Sequence, residues 1–342
     1  MIYKRTYRAT AFMLILLLTV SCMKYGPAGT EDFHPSPPGE GLFIVNEGNF
    51  MYGNASLSYY IPRTGNMQHE VFIRANGINL GDVAQSMTIY SGLGYIVVNN
   101  SGVIFVIDPD TFRLKGSITG MISPRYIHFI NDHKAYVTDL YQEKITIVDP
   151  VSFRITGYVP TPGHRSTEEM AQWKNLLFVS CWSYDNKLLV IDTRTDRIVD
   201  SLVVEKEPTQ LLLDSNDKIW CVASGNLYRI HPGERKIEHI FPAGDQQSRT
   251  YLALNPRGDT LYYLNRNLWR MPVNAGSLPA VPFVRLPQRP YYGLAVDPAT
   301  YDIYVADALD YVQQGKIYRF DPRGVPVDTL TAGINPGFFC FK

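Results

Sequence analysis

The chain is predicted to be an all-β, seven-bladed β-propeller closed by its C-terminal strand. Three observations predict it. First, successive apolar runs end on Ile61-Pro62, Asp108-Pro109, Asp149-Pro150, Asp192-Thr193, His231-Pro232, Met271-Pro272 and Asp321-Pro322, at intervals of 39 to 50 residues. A period near forty, built from short β-branched and aromatic runs, signals one four-stranded blade per repeat. Second, no segment shows a convincing helical period. Third, the repeats at the two ends are incomplete in opposite senses. Leu42-Phe43-Ile44-Val45 begins at what should be a second strand, and Pro336-Gly337-Phe338-Phe339-Cys340-Phe341 is a first strand with nothing after it. Paired in one sheet, they close the circle and remove exposed edges.

The elements follow in order. Residues 1–21 read as a signal peptide: Lys4, Arg5 and Arg8, an apolar stretch from Ala9 to Val20, then Ser21. That stretch is too short for a comfortable membrane span. Cys22 after Leu18-Thr19-Val20-Ser21 resembles the lipobox of bacterial lipoproteins, with Thr19 where such boxes usually carry Leu, and is the expected lipidation site. Residues 22–41 are the lipidated Cys and a Pro/Gly-rich flexible tether without apolar periodicity. Residues 42–342 are the propeller.

Residues 87–119 show one blade's grammar. Met87-Thr88-Ile89-Tyr90, Tyr95-Ile96-Val97-Val98, Val103-Ile104-Phe105-Val106-Ile107 and Arg113 to Ile118 are four strands. Ser91-Gly92-Leu93-Gly94 marks the first turn, and Asp108-Pro109-Asp110-Thr111 presets the last. Further inner strands are expected to begin near Asp82, Pro124, Thr167, Pro208, Arg249 and Pro290.

Because the strands run alternately up and down, the turn between strands two and three shares a face with the link into the next blade. The opposite face carries short, stereotyped turns, among them Asp214-Ser215-Asn216-Asp217. The two–three loops are individual, as in 47–54, 181–185 and 307–314. With the starts of the inner strands they make a disc rich in Tyr, Trp, Asn, Gln and Arg. Such a surface suits a large ligand with both apolar and hydrogen-bonding parts. Packing between blades is the competing role for any single aromatic. The candidate ligand-binding residues are Gln85, Arg125, Tyr126, Trp182, Tyr184, Tyr291, Tyr292 and Tyr311.

Other chemistry is missing. Lys+Arg and Asp+Glu are both 32, so no basic excess points to nucleic acid. No nucleophile motif or phosphate loop appears. The seven His are scattered, and His128 reads as a satisfied core residue. Glu168 and Glu169 near the axis read as a solvated pair. Cys181, Cys221 and Cys340 remain after export, an odd number that argues against a disulfide framework. They are expected to be free and buried, and no Cys/His spacing suggests zinc.

The repeated Val-Ile-Asp-Pro-x-Thr unit at Val106 to Thr111 resembles propellers of the YncE type. More specifically, Val45-Asn46-Glu47-Gly48-Asn49-Phe50, Gly81 to Met87, Val97 to Ser101, Pro124 to Phe129, Cys181-Trp182-Ser183-Tyr184, Tyr291 to Leu294 and Tyr304 to Ala308 are similar to the surface-exposed vitamin B12-binding lipoproteins called BtuG. One departure is the fifth blade's two–three loop, only Ala223-Ser224-Gly225-Asn226, where a longer Tyr/Gly-rich insertion is expected in close relatives. The resemblance implies tight capture of cobalamin or a related corrinoid as ligand, with no resident cofactor or metal. It also implies delivery to a TonB-dependent outer-membrane transporter of the BtuB type, from a lipoprotein of the outer membrane exposed at the cell surface. The leading expectation is therefore a non-enzymatic binding protein. Two rivals stand beside it. A propeller lactonase or lyase would need a central cation, for which Glu47, Asn99, Asp139, Glu168 and Asp307 are the available oxygens. A glycan-binding surface lipoprotein would use the same aromatics.

Overall fold

A computed structural model describes residues 40–244 and 249–342. The expected signal peptide, Cys22 and nearly all of the tether lie outside the described residues. Within these residues the strands form seven antiparallel sheets, the seven blades of the expected propeller. The first blade has the spatial order Pro336–Phe341, Leu42–Asn46, Ser56–Ile61, Asn66–Gln68, so the last strand supplies the inner edge of the first sheet. Leu42 pairs with Phe341 and Ile44 with Phe339, and Phe339 packs beside Tyr304 of the seventh blade. The ends of the chain are thus joined by a ladder and by a shared apolar cluster.

The turn joining strands three and four shows why its sequence repeats. Asp108, Asp149, Asp192 and Asp321 each accept a hydrogen bond from the backbone N–H two residues on, at 2.9 to 3.0 Å. Phe112, Phe153 and Asp196, each four residues after such an Asp, are left-handed at φ 56° to 59°. Acceptor side chains that bond their own turn favour this geometry. In blades two, three, four, five and seven the register between strands three and four slips just before this turn, as at Val106/Ile107.

Two features depart from the sequence reading. Residues Val71–Asn76 form a short helix, capped by left-handed Gly77 and held by Asn76 Nδ2 donating to Phe72 O and Phe112 O. Six residues are too few to show a period. The sixth blade has three strands, Tyr251–Leu254, Thr260–Asn265 and Asn267–Pro272, and its outer edge is reduced to a bridge between Leu268 and Val284. Pro279, Pro282, Pro287 and Pro290 lack the donors that a fourth strand needs.

The core lies between neighbouring sheets. Cys181, Cys221 and Cys340 are buried and free, as expected. No helix among the described residues is long and apolar enough to cross a membrane.

Candidate functional site

Every blade sends residues to one well of about 450 Å³ on the loop-rich face. Its wall includes Gln85, Arg125, Tyr126, Glu168, Glu169, Gln210, Tyr251, Tyr292 and Phe338 from the inner edges of the sheets, with Glu47, Leu140 and Trp182 from two–three loops. Most of the inner-edge residues face the axis for a local backbone reason. At the start of five inner strands the ladder slips by one residue. Arg125 and Tyr126 together stand opposite a single partner position, as do Glu168 and Glu169, while Gln85, Tyr292 and Gly337 are the extra residues in their strands. Such bulges re-aim side chains beside binding sites.

The wall is cross-linked. Arg125 Nε donates to both carboxylate oxygens of Glu168 at 2.8 and 3.0 Å, and its Nη1 reaches Gln85 Oε1. Gln85 Nε2 donates to the Tyr126 hydroxyl at 3.2 Å. Across the well the Tyr292 hydroxyl donates to Glu47 Oε2 at 2.8 Å. The Arg249 guanidinium lies 5.5 Å from the centre of the Tyr292 ring, and that of Arg125 lies 5.8 Å from Trp182. Both distances are within cation–π reach. Tyr311 meets Tyr292 edge-on at 5.8 Å, and Tyr251 flanks it at 6.4 Å. The floor and wall thus combine π faces with fixed donors and acceptors.

Four carboxylates, Glu47, Glu168, Glu169 and Glu207, line this space with two guanidiniums. Burial pushes the Glu47 and Glu168 carboxyls above the ordinary value near 4.5, with Arg125 and Arg249 pulling both back. Glu169 is pushed up to about 7, first by burial and further by the Glu168 charge, against a hydrogen bond from the Leu211 N–H. The pair expected to be solvated is therefore neither free nor alike. Glu168 is a buried ion-pair partner, and its neighbour holds its proton near neutrality.

The structure sorts the predicted residues. Gln85, Arg125, Tyr126, Trp182 and Tyr292 line the well. Tyr311 is half-exposed at its margin on the Tyr292 ring. Tyr184 is 99% exposed and is no part of the lining. Tyr291 is a correction: it is ladder-paired with Asp307, so its side chain turns into the core, where its hydroxyl donates to Pro287 O at 2.7 Å. Its neighbour Tyr292 is the bulge residue and takes the axial position. Sequence reasoning missed Gln210, Tyr251 and Phe338 as wall residues, and placed Glu169 near the axis only as half of a solvated pair. The doublet Glu168-Glu169, like Arg125-Tyr126, was the available signal, because two polar or amphipathic residues in succession at a strand start are what a bulge displays.

Of the five residues considered for a central cation, Glu47 and Glu168 line the well, while Asp139, Asp307 and Asn99 are engaged in loops. The Asp139 carboxylate accepts from the N–H groups of Ile122, Ser123 and Tyr141. Asp307 accepts from Leu309 N–H and the Tyr318 hydroxyl, and Asn99 donates to Pro124 O. They bracket loops. Those loops are also tied to one another: Met51 N–H and Asn100 Nδ2 both donate to Asp82, at 2.9 and 2.6 Å, and Asn49 Nδ2 donates to Tyr311 O. The fifth blade's short connection is a two-residue turn with Ser224 and Gly225 at φ 48° and 77°, the pair of positive angles that a tight hairpin requires.

Comparison with known proteins places this architecture. A quinonprotein alcohol dehydrogenase-like protein from Bacteroides thetaiotaomicron is similar, with a TM-score of 0.70 at 14% identity, over 88% of this chain and 78% of that one. The periplasmic gluconolactonase PpgL of Pseudomonas aeruginosa gives 0.65 at 15% identity, over 88% of this chain and 99% of that one. The β-propeller domain of Cps50 (Swd1) from Myceliophthora thermophila gives 0.61 at 12% identity, over 80% and 95%. At such identities the likeness is one of fold. No curated protein matches the chain in sequence. The sequence of residues 40–332 matches the model of a domain of unknown function, DUF5074, so the chain, a seven-bladed β-propeller, belongs to the DUF5074 family.

Proposed function

We propose that this protein is a non-enzymatic binding protein that captures cobalamin or a related corrinoid on the loop-rich face. In this reading it is a lipoprotein anchored through Cys22 at the outer surface of the outer membrane, handing its ligand to a TonB-dependent transporter. The observation that carries the reading is the convergence of all seven blades on one well whose wall combines aromatic rings with amides, carboxylates and guanidiniums. A corrinoid offers apolar ring faces and a rim of amides. Tyr292, Trp182 and Tyr126 supply π surface for the former, while Gln85, Arg125 and Arg249 supply partners for the latter. The macrocycle is broad compared with the well. It would therefore lie across the mouth, with its substituents reaching down and the exposed Tyr52, Tyr141 and Tyr184 around it. Wall side chains already held by hydrogen bonds lose little freedom on binding, which favours affinity. Tethering to the membrane would raise the concentration of captured ligand beside its transporter.

Equilibrium dialysis of the purified chain against cyanocobalamin tests this directly. Retained colour at one equivalent is expected. Trp182→Ala and Tyr292→Ala should each weaken binding by at least ten-fold, the scale of central aromatic anchors. Tyr184→Ala should cost less, because that ring lies outside the well. Absence of retention at micromolar concentration refutes the proposal.

A further inference from the structure

We propose that His164, Cys181 and Asp185 form a binding site for one divalent zinc-class ion, and that the ion fixes the loop carrying Trp182. The three residues come from separate places. His164 lies between the third and fourth blades, Cys181 ends the strand Leu176–Cys181, and Asp185 lies in the two–three loop of the fourth blade. The fold brings one ligand atom from each within 4.8 Å of the others. An imidazole, a thiolate and a carboxylate are the three donor types that zinc takes, and three protein ligands leave a fourth position for water or another oxygen or nitrogen.

Two observations distinguish this cluster from an ordinary ion pair beside a core cysteine. The Cys181 side chain is fully buried, yet its thiol has no hydrogen-bond partner among the described residues. The other two buried cysteines each lie within reach of a backbone carbonyl, Cys221 of Val222 O and Cys340 of Phe341 O. Beside that thiol, His164 Nδ1 and Asp185 Oδ2 are 2.7 Å apart, with side chains only 24% and 14% exposed. The position is thus close to the surface and sheltered from it.

Loading the site requires small rearrangements. Bond lengths of about 2.0–2.1 Å to nitrogen and 2.0–2.2 Å to oxygen would spread the imidazole and carboxylate to roughly 3.3 Å. The Cys181 thiol gives its proton to solvent as the sulfur–metal bond forms. His164 keeps one proton, on Nε2, so that the Nδ1 lone pair faces the ion. No electron is transferred. The consequence reaches the well, because Trp182 lies between two of the ligands. Its N–H donates to Ser166 O at 2.7 Å, and its carbonyl accepts from the Asp185 N–H at 2.9 Å. An ion tying Cys181 to Asp185 would hold Trp182 against the Arg125 guanidinium.

The test uses the tag-free chain, stripped of metal and titrated with cobalt(II) and then zinc(II). A thiolate-to-cobalt charge-transfer band in the near ultraviolet, saturating at one equivalent and bleached by zinc, is expected. Cys181→Ser should abolish the band, and His164→Ala or Asp185→Asn should weaken zinc binding by ten-fold or more. Cys221→Ser should keep both, and melting curves of each variant report whether the fold persists. Zinc should also change the tryptophan fluorescence, a change lost in Trp182→Phe. Since His164 and Asp185 lie outside the core, their variants keep the test decisive if Cys181→Ser fails to fold. Absence of the band together with no zinc retained on dialysis overturns the proposal. So does zinc retained equally by the folded His164→Ala and Asp185→Asn variants.

Discussion

Glu169→Gln should stabilise this protein, and by an amount that grows with pH. The carboxyl titrates near 4.5 in an ordinary setting and is pushed up to about 7 in the folded chain. Below pH 4.5 both states carry the proton, and the group makes no demand on folding. As pH rises from 4.5 to 7 the unfolded chain releases the proton while the folded chain keeps it, so stability falls. Above 7 the loss is complete and constant. A difference of two to three pH units at 1.36 kcal/mol each corresponds to about 3 kcal/mol, an upper figure because the well admits solvent. The Gln side chain keeps an acceptor for the Leu211 N–H and carries no charge beside Glu168. Unfolding by urea at pH 4 and pH 8 measures the effect. The variant and the parent should be alike at pH 4, and the variant should be more stable by 1–3 kcal/mol at pH 8. An advantage of the same size at both values would mean that charge in the well is not its source, and the reasoning would fail.

The adjacent Glu168→Gln should act in the opposite direction, costing about 3–5 kcal/mol at neutral pH, because it leaves the buried Arg125 without its counter-ion; a melting temperature equal to the parent's would contradict the pairing. Acid should destabilise the fold by a different route. Backbone hydrogen bonds hold the Asp149 and Asp321 carboxyls below the ordinary value of 3.8, so their support is present above that value and is lost as pH drops further. With Glu169 destabilising above 4.5, thermal stability should peak near pH 4–5, and a scan with its maximum above 7 would refute this balance. Phe339→Ala should cost about 3–5 kcal/mol in urea unfolding through the cavity it leaves between the first and seventh blades. Removing residues 336–342 should abolish cooperative unfolding, and an unchanged melting temperature in the shortened chain would show that closure is dispensable.

Much of this architecture was legible in the residues. The turn Asp repeats because it bonds its own backbone, a local arrangement that leaves a local signature. The number of blades and the pairing of Pro336–Phe341 with Leu42–Asn46 followed from counting strands between such turns. The working face followed from the alternation of strand direction. Gln85, Arg125, Tyr126, Trp182 and Tyr292 were found on it for that reason. The fourth strand expected in the sixth blade was misread, although its prolines were in view.

By itself, then, the sequence determined the period, the closure and the face, because each depends on backbone propensities within a few residues. Only the tertiary structure decided between neighbours. Whether Tyr291 or Tyr292 meets the axis depends on one slipped ladder position, and alternation in the sequence cannot register a bulge before the partner strand is in place. The pairing of Arg125 with Glu168, and the meeting of His164 with Cys181 and Asp185, were also set there. Distances between side chains on adjacent blades are fixed by how sheets pack around the axis, and no spacing along the chain encodes that packing.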